Sequence, residues 1–237
     1  MSTHSRAAAE VWSDPDFAEA WLRADPVGTG DLLALPRRMA AALIGHELPQ
    51  PRLIVDVASG AGAFLAVLLD AFPQARGVWS DASPAMLDKA RGELARFGDR
   101  VEFRPGDMAE LRAAGVPGDA DVVATSRASH HLDRAELHAF YREAAGLLRP
   151  GGWLVNLDHV GPDDAVWDRR YRAVRAQFTG PASAKTKHHH RYPLPSVLDH
   201  LDGFRVGGVR DVDVAWKAFY SCLFLGRRDG AAEGGGA

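Results

Sequence analysis

The sequence predicts an α/β fold: a doubly wound, mostly parallel seven-stranded sheet with helices on both faces and an antiparallel hairpin at its C-terminal end. Three observations carry this. Short apolar runs alternate with helically periodic segments along most of the chain, an order that lays strands side by side beneath crossover helices. The first run, Leu53 to Val57, ends in Ser59-Gly60-Ala61-Gly62 and leads into a helical face of Phe64, Leu65, Val67, Leu68 and Leu69. Strand, glycine turn and helix in that order form the first unit of a doubly wound sheet. Finally, the runs Phe204 to Val212 and Val214 to Leu225 are separated by little more than Asp213, a link short enough to imply an antiparallel pair.

Each element has its own signal. Phe17, Trp21 and Leu22, then Leu32, Leu33, Leu35, Met39, Leu43 and Ile44 recur at helical spacing with Asp31 as a candidate N-cap, so two helices precede the first strand. After the first unit come Gly77 to Ser80 with a helix from Pro84 to about Phe97, and Val101 to Arg104 with a weak helix near Met108 to Ala114. Asp121 to Thr125 follows, with a helix from Arg134 to Leu148. Pro150-Gly151-Gly152 is a turn signal, after which Trp153 to Leu157 reads as the fifth strand and about Asp163 to Phe178 as an arginine-rich helix. In that helix Trp167, Tyr171, Val174 and Phe178 fall on one stripe, which predicts core packing with the arginines solvated. Trp153 and Trp216, at strand positions, are expected in the core.

At 237 residues and 46% hydrophobic content, the chain can bury one large core. One domain is therefore expected over 1–237: a helical cap (1–50), a ligand-binding core (53–160), a lid segment (161–200), the hairpin (204–226) and a solvated tail (229–237). A formal charge of -3 and a pI near 6.4 supply no basic field for nucleic acid. Cys222 has no partner for an intrachain disulfide, no apolar stretch reaches the roughly 18 residues a membrane span needs, and residues 1–10 lack a secretory core. These features predict a cytoplasmic chain without a membrane or nucleic-acid partner, either monomeric or homodimeric.

The glycine turn marks the ligand site, because ligands of doubly wound sheets sit at the carboxyl ends of the strands where the strand order reverses. Two glycines there let a ligand approach the backbone. Asp56 lies inside the apolar strand just before the turn; an ionised carboxylate in that setting is costly unless paired, which suits it to brace the loop and orient a cationic ligand. Asp81 ends the second strand, 19 residues after Gly62, where an acidic side chain takes the two hydroxyls of a ribose. Asp107, with Met108 beside it, offers an acceptor and an apolar wall for an adenine. A dinucleotide site is disfavoured, since the third glycine of its fingerprint would fall at Leu65.

Taken together, Val55-Asp56-Val57-Ala58-Ser59-Gly60-Ala61-Gly62, Asp81-Ala82-Ser83-Pro84-Ala85-Met86-Leu87, Gly106-Asp107-Met108, Ser129-His130-His131-Leu132 and Leu148-Arg149-Pro150-Gly151-Gly152 resemble, in order, the class I S-adenosylmethionine (SAM)-dependent methyltransferases. The resemblance implies a Rossmann-like fold and SAM as cofactor, with S-adenosylhomocysteine as product. It also implies that Asp56, Gly60 and Gly62 hold the methionine part, Asp81 the ribose and Asp107 the adenine amino group, with Met86 and Met108 flanking the adenine and Ala58, Ala82 and Ser126 lining the same site. Ala58 departs from the family's usual glycine.

Methyl transfer from a sulfonium is an in-line displacement, so the enzyme must hold the acceptor near the methyl and exclude water. A hydroxyl or amine acceptor must also lose a proton, for which histidine has a suitable pKa. His130 and His131, after the fourth strand, and His189 are the candidate catalytic groups. The plainer reading of the first two is loop hydrogen bonding, and of His188 to His190 a solvated basic loop. Recognition of an anionic acceptor is the sharper reading of that second cluster. Adjacent histidines point in different directions and no ligand at metal spacing joins them, so no metal is expected. Acceptor contacts are assigned to Trp21, His130, His188, His190, Tyr171 and Arg175, with Asp14 and Asp16 beside the lid. Arg37 and Arg38 are positioned to reach the SAM carboxylate, Arg38 being the preferred clamp. The expected activity is methylation of O, N or C on a small molecule of bacterial specialised metabolism. A cyclisation or rearrangement on the same fold, or a non-catalytic SAM-binding partner, are the alternatives.

Overall fold

The computed structural model describes residues 33–175, 177 and 193–230. Helix α1 (Ala34–Glu47) precedes β1 (Leu53–Val57), α2 (Ala63–Ala71), β2 (Arg76–Ser80), α3 (Pro84–Glu93), a 3-10 turn (Ala95–Arg100) and β3 (Val101–Phe103). Then follow β4 (Ala120–Ser126), a 3-10 turn (Ser129–His131), α4 (Arg134–Leu147), β5 (Leu148–His159), α5 (Ala165–Val174), α6 (Val197–Val206), β6 (Val209–Ala218) and β7 (Ser221–Arg228). The seven strands form one sheet in the order β3-β2-β1-β4-β5-β7-β6. β1 to β5 are parallel, whereas β7 runs antiparallel to both β5 and β6.

The central strands are covered on both faces, which is why β1, β2 and β4 read as continuous apolar runs. On one face Ile54, Trp79 and Ala124 pack with Ile44 of α1, Leu65 and Leu68 of α2 and Met86 of α3. On the other, Val55, Val57 and Val123 meet Leu137, Phe140 and Tyr141 of α4 and Phe204 of α6. Local chemistry sets the helix starts. Ser83 accepts from the Met86 amide with Pro84 at the first position of α3, and Asp133 and Glu136 form a reciprocal capping box at α4.

Four expectations are corrected. Residues 108–114 form consecutive turns instead of a helix: the Asp107 carboxylate accepts the Ala109 amide, so the segment closes on itself. The terminal hairpin is real but displaced. Phe204 belongs to α6, whose start is a Ser196/Asp199 capping box and whose end meets Gly207 and Gly208, the latter at φ +74°. Its turn lies at Phe219-Tyr220, and Asp213 sits inside β6 at a register shift. Pro150-Gly151-Gly152 does not precede β5; it lies within it, at a register irregularity against β4. The stripe on α5 does not enter the core: Trp167 is 49% and Val174 39% exposed, and the helix buries none of its residues. Tyr171 packs edge-on to Phe219 and Tyr220 at the hairpin tip. Trp153 and Trp216 are half-buried against the edge of the first core layer. The earlier N-terminal helix with Phe17, Trp21 and Leu22, the position Phe178, and residues 231–237 of the tail lie outside the described residues.

Candidate cofactor and acceptor site

Strand order reverses between β1 and β4, which opens a crevice at the carboxyl ends of these strands. The glycine turn lies there, and its backbone explains its composition: Gly60 and Gly62 have φ +56° and +86°, and Ala58 is held at φ 50°. A Cβ at Gly62 would stand 2.7 Å from Leu94, so helix packing requires that glycine as well.

Asp56 is buried. Its Oδ2 accepts from Ser59 Oγ at 2.5 Å and from the Leu65 amide at 3.1 Å, bracing the turn against α2. Burial raises its carboxyl to about 7, against the opposing pull of those two hydrogen bonds and of the Arg37 charge. Asp81 accepts the amides of Gly60 and Ser83, at 2.9 Å each. Its carboxyl is raised, first by burial and further by the nearby charge of Asp107. Asp81 therefore ties the glycine turn to the start of α3 and has Asp107 close by. Met86 is buried with its sulfur near Gly60, Met108 is half-buried in the second core layer, and Ala82 is exposed.

Polar atoms without partners gather at this edge. Asp56 Oδ1, Ser80 Oγ, Thr125 Oγ1 and Ser126 Oγ are buried and have no hydrogen-bond partner among the described residues. They belong to the last two residues of β1, β2 or β4. Buried polar groups are normally satisfied, so this concentration fits a polar ligand seated on the three strand ends. Asp56 beside the glycine turn and Asp81 just after β2 place two carboxylates at this edge. Of the two N-terminal arginines, Arg37 is buried and close enough for its charge to act on Asp56, while Arg38 is exposed. The structure thus turns Arg37, and not the preferred Arg38, toward the strand ends.

A second buried polar cluster is built after β4. His130 is buried and its Nδ1 lies 2.6 Å from Asp158 Oδ1 near the end of β5. Asp158 also accepts from Ser129 Oγ (2.5 Å) and from the amides of His130 (3.0 Å) and His159 (2.7 Å). Burial opposes ionisation, but the adjacent His130 imidazole and these hydrogen bonds hold the carboxyl well below its ordinary range. The rings of His131 and His159 flank His130, with centroids at 4.0 and 5.0 Å. Sequence reasoning found His130 and His131 but not Asp158, His159, Ser129, Asn156, Tyr141 or His200. Asp158 carries a weaker signal of the same kind as Asp56, a carboxylate directly after the apolar run Trp153 to Leu157. Tyr171 on α5 and Arg175, the C-cap of that helix, contact the hairpin: Lys217 Nζ donates to Tyr171 Oη at 3.2 Å, and Arg175 faces the Tyr220 ring. Trp21, Asp14, Asp16, His188, His189 and His190 lie outside the described residues.

Among the described residues no cluster of three or more His, Cys, Asp or Glu is arranged to hold a metal ion, and no helix is long and apolar enough to cross a membrane.

Comparison with known proteins places this geometry in a family. Residues 54–152 match the model of a methyltransferase domain. The 3-amino-4-hydroxybenzoate 4-O-methyltransferase of Streptomyces cremeus is 33% identical over 147 residues, covering 62% of this chain and 37% of that protein. The phenazine-1-carboxylate N-methyltransferase of Pseudomonas aeruginosa is 35% identical over 166 residues, 65% of this chain and 47% of that one. The chain thus spans about a third to a half of these relatives. The structure of an O-methyltransferase family protein from Burkholderia thailandensis superposes with a TM-score of 0.66 at 25% identity, covering 92% of this chain and 60% of the other. Residues 54–152 thus carry a methyltransferase domain, and the seven-stranded sheet in the order β3-β2-β1-β4-β5-β7-β6 has the Rossmann-like fold of class I methyltransferases.

Proposed function

We propose that this chain moves the methyl group of SAM to an oxygen or nitrogen of a small molecule of specialised metabolism, with His130 as the general base. The observation that carries the reading is the His130 Nδ1 to Asp158 Oδ1 contact at 2.6 Å beside the cofactor crevice. SAM supplies an electrophilic methyl on a sulfonium. Asp56, Asp81 and the glycine turn hold and orient it, Asp107 takes the adenine amino group, and Arg37 attracts the carboxylate. An ionised Asp158 accepts only, so the proton between the two groups sits on His130 Nδ1 and Nε2 is the nitrogen that takes the acceptor's proton. Developing positive charge on the imidazole is then stabilised by Asp158. The names of relatives point to acceptors of this kind: 3-amino-4-hydroxybenzoate, phenazine-1-carboxylate and an intermediate of mitomycin biosynthesis. In this reading His131 and His159 are the nearest polar wall of the acceptor.

The test is a mass-spectrometric assay of the purified chain with SAM and a panel headed by 3-amino-4-hydroxybenzoate and phenazine-1-carboxylate. Methylated product and S-adenosylhomocysteine are expected, with His130→Ala losing turnover while its calorimetric SAM affinity stays within about twofold, as expected for a residue outside the cofactor contacts. Full turnover by His130→Ala would remove it as base. Absence of SAM binding by the parent chain would remove the cofactor assignment.

A further inference from the structure

Behind the His130–Asp158 pair lies a buried polar chain that the proposed chemistry does not itself use. It crosses from the strand ends to α4 and α6. Asn156 Nδ2 stands 2.9 Å from Ser129 Oγ and 2.8 Å from Tyr141 Oη, and Tyr141 Oη stands 2.8 Å from His200 Nδ1. Asn156 and Tyr141 are completely buried, as are Ser129 and His200.

The direction of every hydrogen bond follows from one end. An ionised Asp158 has no hydrogen to give, so Ser129 donates to it. The Ser129 oxygen is then an acceptor toward Asn156, which must present its NH2 group there. The second amide hydrogen goes to the Tyr141 oxygen, so the Tyr141 hydroxyl donates to His200 Nδ1. His200 therefore carries its proton on Nε2, a buried atom without a hydrogen-bond partner among the described residues. A buried orphan donor is costly, and an apolar side chain between Tyr141 and Phe224 would avoid that cost. Burial also pushes the imidazole down to about 4, so it is neutral wherever the enzyme works near neutrality. One carboxylate thus orders four further groups, and the far end of the chain is a neutral acceptor, which keeps the polarity from reversing.

We propose that Tyr141 and His200 are positioning residues for His130: acting through Asn156 and Ser129, they hold the Asp158 carboxylate in the orientation that keeps the His130 proton on Nδ1. The inference rests on the reading of His130 as base, but its own readout does not. Among the described residues, the groups facing His130 include Asp158, His131 and His159, with His200 beyond Asn156.

The experiment pairs imidazole ¹⁵N NMR with kinetics on the full chain. In the parent protein the spectra should show His130 protonated at Nδ1 and His200 at Nε2. Tyr141→Phe keeps the ring in its packing and removes only the hydroxyl. It should move the His130 ring shifts, mix the His200 tautomers, and lower kcat roughly tenfold, about the worth of one buried hydrogen bond, with KM for SAM unchanged. In a His130→Ala background the same substitution should cost nothing further. Should Tyr141→Phe not fold, His200→Asn, whose Oδ1 replaces Nδ1 as acceptor, should retain the His130 spectrum that His200→Leu loses. Unchanged His130 ¹⁵N shifts in folded Tyr141→Phe or in His200→Leu would overturn the proposal, as would an equal kcat loss with and without His130. If instead His130→Ala turns over fully while the shifts move as expected, the base assignment fails and the positioning chain stands.

Discussion

Two buried aspartates, Asp56 on β1 and Asp158 on β5, stand on either side of β4 and are treated in opposite ways. Asp158 accepts four hydrogen bonds from the protein, one of them from an imidazole, and is held well below the ordinary carboxylate range. Among the described residues Asp56 has donors on Oδ2 and none on its buried Oδ1, and burial lifts the carboxyl to about 7. The protein completes one carboxylate and leaves the other half-finished. The completed one is suited to orient a histidine, the unfinished one to receive a cationic ligand, and in both cases the hydrogen-bond inventory conveys this more directly than burial does.

The contrast can be broken first at Asp158. Asp158→Asn should preserve the fold and leave the SAM affinity within about twofold, but lower turnover by roughly 10³-fold, because an amide in place of the carboxylate no longer holds the imidazole proton on Nδ1. A loss below about fivefold in initial rates would show that the completed carboxylate is structural. At the glycine turn, Asp81→Ala removes the acceptor of the Gly60 and Ser83 amides and, in the proposed reading, the partner of the ribose hydroxyls. Calorimetry should show SAM affinity falling roughly 10- to 100-fold.

The pH dependence of Asp56 sharpens the comparison further. Its folded pKa of about 7 lies above the ordinary 3.8, so between these values the folded state holds the proton more tightly and Asp56 lowers stability as pH rises. His200 acts oppositely: at about 4 against 6.5, the unfolded state holds more protons and stability rises with pH across that interval. Melting curves from about pH 4 to 6.5 should therefore rise more steeply in Asp56→Asn than in the parent, since the opposing contribution is gone. SAM affinity of the parent should in turn increase several-fold as pH rises to about 7 and then level off, following ionisation of Asp56, while Asp56→Asn binds weakly and without that slope. A parent affinity independent of pH over this range would separate Asp56 from the cofactor. The smallest effect is expected at Ala58, held at φ 50°. Ala58→Gly relieves a left-handed backbone but adds freedom to the unfolded chain, so its thermal stability should rise by no more than about 1 kcal/mol.

Much of the candidate cofactor site is legible in the sequence because its signals are local. Asp56, Gly60 and Gly62 lie within one turn, and Asp81 ends the next strand; periodicity and spacing suffice for these. The acceptor half was only partly legible. His130 and Asp158 are 28 residues apart, and Tyr141 and His200 meet across 59, so no local pattern pairs them. The end of α6 from Phe204 reads as strand and His200 falls in the 161–200 lid segment, while the helix itself is set by its Ser196/Asp199 capping box. The apolar stripe of α5 pointed to a core that the helix does not reach, since periodicity reports an apolar face but not what covers it.

From its residues alone the chain determined a parallel, doubly wound core with a glycine turn at its switch point, because alternating apolar runs and positions needing φ above zero are written in short stretches of sequence. Only the tertiary structure decided which aspartate is saturated, which is left open, and which arginine faces it. Those outcomes depend on donors and charges delivered by separate strands and helices, and a buried carboxylate takes its character from the partners that packing brings to it.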